Sequence, residues 1–126
     1  MMRTYSALFA VLASMAVAQE GLRSSDATFN ESELSDLLQG NVIEFYDGSK
    51  STYSADGTYG YTYTDDGPVW SGKYRFQQDS KVCVDFDNGS ARCDIFVKNE
   101  GRIILIIDDG TRFPVRNITV DDADSS

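Results

Sequence analysis

From Asn41 onward this chain is punctuated by Asp-Gly and Asn-Gly pairs, at Asp47-Gly48, Asp56-Gly57, Asn88-Gly89 and Asp109-Gly110, with alternating side chains between them. Such pairs supply the positive φ that tight hairpins demand, and the period of two places successive side chains on opposite faces of a strand. Further connections fall at Asp65-Asp66-Gly67-Pro68, Gln78-Asp79 and Asn99-Glu100-Gly101. The pattern predicts eight strands, at about 41–47, 50–55, 58–64, 69–76, 81–87, 90–98, 102–107 and 111–118. Segments this short and this closely spaced leave no room for βαβ crossovers. The fold class is therefore mainly β, and a small up-and-down antiparallel barrel removes the exposed edges most economically. A two-sheet sandwich is the alternative.

One short helix precedes the strands and packs outside them. Thr28-Phe29-Asn30-Glu31 reads as a capping box, with Thr28 as N-cap, opening a helix to about Gln39 before the stop signal Gly40-Asn41. Leu34, Leu37 and Leu38 share a face. Ile103 to Ile107 is apolar on both faces, and the leucine face is the expected cover for its outer side. Alternation assigns to the core Val82, Val84 and Phe86, then Ala91, Cys93, Ile95 and Val97, and Ile104 and Ile106 opposite Phe113 and Val115.

The hairpin carrying the two cysteines, Cys83 and Cys93, contains a conflict. A two-residue Asn88-Gly89 turn pairs Val84 with Cys93 and Phe86 with Ala91, which gathers the apolar groups but sets the cysteines on opposite faces. A three-residue Asp87-Asn88-Gly89 loop puts Cys83 opposite Cys93 and scrambles the apolar faces. Satisfying both calls for a β-bulge near Cys93-Asp94 or Cys83-Val84.

Residues 1–18 read as a cleavable signal peptide: Arg3, an apolar run from Ala7 to Val17, and Ala16-Val17-Ala18 ahead of Gln19. That run falls short of the roughly 20 residues a membrane-spanning helix needs. The expected organisation is a flexible N-terminus over 19–27, a single barrel domain over 28–120 and an acidic tail over 121–126. An exported, periplasmic or extracellular chain meets an oxidising compartment, so Cys83 and Cys93 are expected to form a disulfide, stabilising the fold by about 2–3 kcal/mol.

Loss of Arg3 with the leader moves the formal net charge from −9 to −10. An acidic surface repels nucleic-acid phosphates and anionic headgroups, leaving a small molecule or a basic protein as partners, with no stable membrane insertion after cleavage. The chain has no histidine, which removes Ser-His-Asp and Cys-His catalysis and histidine-ligated metals. No catalytic motif, cofactor or metal site is expected. Asp85-Phe86-Asp87-Asn88-Gly89 lacks the spacing and closing Glu of a calcium loop and reads as a turn. Three sequons, at Asn30, Asn88 and Asn117, matter only where secreted proteins are glycosylated.

The candidate ligand or partner surface is aromatic. Tyr59, Tyr61 and Tyr63 alternate along one strand and Trp70, Gly72, Tyr74 and Phe76 along the next, so each set occupies one face. Pointing inward, they line a small-ligand cavity. Pointing outward, they form a surface for a protein or glycan, and ordinary cross-strand packing is the third arrangement.

Gly40-Asn41-Val42, Ser54-Ala55-Asp56-Gly57-Thr58, Trp70-Ser71-Gly72-Lys73-Tyr74, Val82-Cys83-Val84 and Arg92-Cys93-Asp94, in that order, resemble small exported bacterial proteins of unknown function with a lipocalin-like or calycin-like barrel. The resemblance implies a signal peptide, a small barrel and a disulfide. The sequence thus points to an exported non-enzymatic β-barrel that binds a small molecule or partner. Its alternatives are a periplasmic protein inhibitor or envelope interaction factor acting on a basic partner, and an enzyme working through Asp or Tyr.

Overall fold

The computed structural model describes residues 21–122, so the leader, Gln19, Glu20 and the end of the acidic tail lie outside the described residues. Nine strands and one helix follow in order: β1 (Ala27–Thr28), α1 (Glu31–Leu38), β2 (Asn41–Phe45), β3 (Lys50–Tyr53), β4 (Thr58–Thr62), β5 (Trp70–Gln77), β6 (Lys81–Phe86), β7 (Ala91–Asn99), β8 (Arg102–Ile106) and β9 (Arg112–Val120). Strands β2 to β9 pair antiparallel with their sequence neighbours, and β9 pairs back onto β2, closing an eight-stranded barrel. The ninth strand, β1, lies outside the ring against β7, through Ala27–Lys98 and Thr28–Val97.

Four of the hairpin loops are built alike. Asp47-Gly48-Ser49, Asp56-Gly57-Thr58, Asn88-Gly89-Ser90 and Asp109-Gly110-Thr111 each place the glycine at positive φ. In every one, the Asp or Asn side chain accepts the N–H of the Ser or Thr two residues on, at 2.9 to 3.0 Å. The residue before the turn donates its N–H to the carbonyl of that same Ser or Thr: Phe45 to Ser49, Ser54 to Thr58, Phe86 to Ser90, Ile107 to Thr111. These are three-residue loops with a left-handed glycine, held by an Asx turn.

That loop settles the cysteine hairpin. Strands β6 and β7 pair Cys83 with Cys93, Val84 with Arg92 and Val82 with Asp94, without interruption. The disulfide forms on the outer face, with S–S 2.03 Å. No bulge is found near Cys93-Asp94 or Cys83-Val84, contrary to expectation; the register break falls in β9, where Glu44 faces Asn117 and Phe45 faces Val115, skipping Arg116. The skipped residue lets Phe113, Val115 and Ile118 all join the interior.

Core assignment for β7 and β8 changes accordingly. Arg92, Asp94 and Phe96 face the lumen with Val82, Val84 and Phe86, while Ile95, Val97, Ile104 and Ile106 form a second, outer cluster. Leu22 packs on that outer cluster. Alternation misassigned this face because the segment leading into β1 buries the outer side of β7, which is therefore the more apolar of the two. The segment fits closely: a Cβ at Gly21, whose φ is +91°, would lie 2.5 Å from the Gly110 carbonyl oxygen. It is tied by Asp26, whose two carboxylate oxygens accept from both terminal nitrogens of Arg112 at 2.8 Å.

The helix cap is displaced from the expected position. Asn30, not Thr28, is the N-cap, and its box partner is Glu33, because Thr28 is spent in the pairing with β7. Leu34 and Leu38 are fully buried, but within the lumen cluster beside Tyr53, Val82 and Phe96 rather than over β8. The helix packs against β2 and β5 and closes the end of the barrel at which β2 begins. That end is plugged by leucine; the other is left to the loops after β2, β4, β6 and β8.

Candidate functional site

Alternation on β4 carries its tyrosines from the core to the rim. Tyr59 is buried, Tyr61 is half-buried and Tyr63, just past the strand, is exposed. Register brings Tyr61 opposite Trp70 and Tyr59 opposite Gly72. Gly72 is needed there, since a Cβ would stand 2.4 Å from the Asp85 carbonyl oxygen of the neighbouring strand. Tyr61, Tyr63 and Trp70 therefore meet at the open end, with the Tyr61 and Tyr63 rings edge-to-face at 4.9 Å. Tyr59 lies below them. Tyr74 does not join them; its ring packs on Tyr53 and Phe76 and its hydroxyl donates to the Ser54 carbonyl at 2.6 Å, toward the leucine-plugged end.

Two recesses open here and share Tyr61, Tyr63 and Arg92. One, of about 220 Å³, is completed by Trp70, Phe86, Asn88 and Ser90. The other, of about 280 Å³, is completed by Phe45, Asp47, Ser49, Leu105, Ile107 and Phe113. Arg92 stands between them, its guanidinium 5.8 Å from the Tyr61 ring centre and 5.7 Å from that of Phe86, within cation–π range. Its Nη2 donates to the Tyr59 hydroxyl at 3.1 Å, and its Nε to Asp94 Oδ2 at 3.0 Å. The Tyr59 hydroxyl also bonds Ser51 Oγ at 2.9 Å.

Asp94 is the anomaly of the lumen. It is 0% exposed, and its Oδ1 has no hydrogen-bond partner among the described residues. Burial pushes its carboxyl up to about 6, against the pull of Arg92. Burial also opposes the charge on Arg92, but Asp94 and the surrounding tyrosines outweigh it and the guanidinium titrates above its ordinary range. Tyr53 and Tyr59 are raised by burial as well, so both hydroxyls stay protonated.

Around this centre the loops 46–49, 63–69, 87–90 and 107–111 carry Asp47, Asp65, Asp66, Asp87, Asp108 and Asp109, and neither lysine nor arginine. Tyr46, Tyr63, Val69 and Trp70, exposed large apolar side chains, sit at the same end. Among the described residues no group of three or more acidic or cysteine side chains is placed to hold a metal ion, and no helix is long and apolar enough to cross a membrane.

Arg92, Asp94, Phe86, Phe45 and Phe113 are site residues that the sequence reading did not single out. The signal lay in Ser90: a hydroxyl directly after Asn-Gly marks the three-residue loop, and that loop turns Arg92 and Asp94 inward. Comparison with family models, curated proteins and solved structures finds no match to this chain.

Proposed function

We propose that this chain is an exported, non-enzymatic barrel of lipocalin-like type that binds a small molecule at its open end. The observation that carries the reading is the pair of aromatic recesses around Arg92, concave and polar at the centre, at the one end α1 does not close. Export is supported by the Cys83–Cys93 disulfide together with the leader-like residues 1–18. Asp94 is enclosed in the lumen and held in an ion pair with Arg92, an arrangement that favours binding over acid–base catalysis.

Native mass spectrometry of protein recovered from its own secretion route tests this. A chain starting at Gln19, two hydrogens lighter than its reduced form and carrying a small molecule that Tyr61→Ala releases, is the expected result. An intact leader would end the export reading, and a chain that holds no small molecule there or in a broad ligand screen would end the binding reading. A protein inhibitor or interaction factor acting on a basic partner is the second reading, favoured by the exposed Tyr46, Val69 and Trp70 beside Asp65, Asp66 and Asp87. A basic protein recovered in place of the small molecule would select it.

A further inference from the structure

Three observations at the open end bear on the charge of its ligand. The first is Asp94 Oδ1, an acceptor sealed in the lumen with no donor among the described residues. Leaving such a group unmade costs about 1–3 kcal/mol, more when it is charged. The second is Arg92, which lies above it and uses Nε and Nη2 internally. Its side chain is 29% exposed, so water serves its remaining donors at little cost. The site is therefore short of a donor, not of an acceptor. The third is the ring of loop aspartates. An anion drawn to Arg92 would find that charge already matched by Asp94 and would cross a rim whose loops carry six aspartates, only one of which, Asp65, is paired with a lysine, Lys50.

We infer that the recess binds a small organic cation, a primary ammonium on an aromatic or aliphatic body, with its N–H groups directed at Asp94 Oδ1. This rests on the small-molecule reading above and adds the ligand's charge and orientation. The body lies against Phe45, Leu105, Ile107 and Phe113, walls of the larger recess. Tyr61 and Tyr63 offer ring faces to the cation as it enters. Arg92 lines both recesses and Asp94 lines neither, so the ammonium reaches Oδ1 by displacing the guanidinium. The displaced guanidinium is matched by Asp47, which lines the larger recess with it. A basic protein surface fits less well, because the unfilled acceptor lies inside the barrel, where only a slender head group reaches.

Binding is read by isothermal titration calorimetry, since Trp70, the sole tryptophan, lines the smaller recess and not the one that takes the ligand's body. The experiment titrates the oxidised protein with phenethylammonium, 2-phenylethanol, 3-phenylpropanoate and benzyltrimethylammonium, four probes of similar body. Phenethylammonium is expected to bind about tenfold or more tightly than the neutral and anionic probes, as a charge-assisted hydrogen bond requires. Benzyltrimethylammonium, a cation without N–H donors, should fall between. Asp94→Asn should bring phenethylammonium down to the level of 2-phenylethanol while leaving 2-phenylethanol unchanged, which also shows that the variant is folded. Asp47→Asn, at the lip, should weaken the ammonium only modestly and flatten its salt dependence.

Tighter binding of 3-phenylpropanoate would overturn the charge inference and leave the small-molecule reading standing. Equal binding of all four probes would do the same, with Oδ1 then satisfied by a trapped water. Failure of phenethylammonium to bind at all overturns the inference, while the broad screen decides the function separately. A lysine-rich peptide that outcompetes every small probe in the same titration would move the site to a basic protein and overturn both.

Discussion

Two Asp–Arg pairs are buried in this barrel, one on each side of its wall, and they are built to opposite standards. Outside, Asp26 and Arg112 meet through two parallel contacts, and Asp26 also accepts from Asn99 Nδ2 at 2.7 Å and the Arg23 N–H at 2.8 Å. Arg112 additionally donates to the Gly21 carbonyl at 2.6 Å. Every strong acceptor is used, and the Arg112 contacts above all hold the Asp26 carboxyl well below the usual range. Inside, Asp94 has one contact with Arg92 and an empty oxygen, and burial raises it. Neither carboxylate is open to solvent, but Asp94 lies deep in the lumen, where burial outweighs its partner, and Asp26 lies near the surface beneath Arg112. They differ in completeness as well. The outer pair fastens the segment before β1 over Ile104 and Ile106, whereas the inner pair leaves one bond to be made by something else.

The largest effect expected from this contrast is on the outer pair. Asp26→Asn leaves Arg112 enclosed without its counter-charge and should cost about 3–5 kcal/mol in urea unfolding. A loss below about 1 kcal/mol would show that the segment is a loose cover rather than part of the wall. Next comes the disulfide: replacing Cys83 and Cys93 together by serine should cost about 2–3 kcal/mol. Because both cysteines lie on the outer face, the near-ultraviolet signal of the lumen tyrosines should persist. Smaller still is Asp94→Asn, expected within about 1 kcal/mol of the parent at neutral pH, since it removes an incompletely bonded charge and leaves Arg92 reaching solvent. A loss as large as that of Asp26→Asn would abolish the distinction between the pairs.

The pH dependence separates them by sign. Asp94 holds its proton more tightly folded than unfolded, so its contribution to stability falls as pH rises from about 4 to about 6. Asp26 holds its proton less tightly when folded, so its contribution is full above the ordinary aspartate range and is lost as pH falls through and below it. Stability of the parent minus that of each Asn variant, measured across pH 3 to 8, should therefore slope downward for Asp94 and upward for Asp26. Parallel slopes would sink the contrast.

Much of the fold could be read from local signals. Gly48, Gly57, Gly89 and Gly110 with their preceding Asp or Asn mark four turns, and alternation between them gives the eight strands of the ring. Tyr59, Tyr61 and Tyr63 were legible as one face for the same reason. Closure was expected from the cost of exposed edges, and β2 and β9 do pair; the direction of each face was not legible, because it depends on contacts distant in sequence. Ile95, Val97, Ile104 and Ile106 look like lumen until Leu22 is known to cover them. Arg92 and Asp94 look like solvent-facing charges for the complementary reason: nothing in their neighbourhood says that a polar centre sits inside an apolar barrel. The Thr28 cap failed where two local uses competed for one residue and strand pairing won.

The disulfide has a role that stability figures do not capture. With a two-residue Asn88-Gly89 turn, the hairpin would gather Val84, Phe86, Ala91 and Cys93 on one side, a more apolar lumen than the one observed, but its cysteines would point apart and could not join. Oxidation can capture only the shifted pairing, in which Arg92 and Asp94 point inward. A bond between Cys83 and Cys93 is thus a chemical signature of the register: a chain in which it has formed carries the charged centre inside.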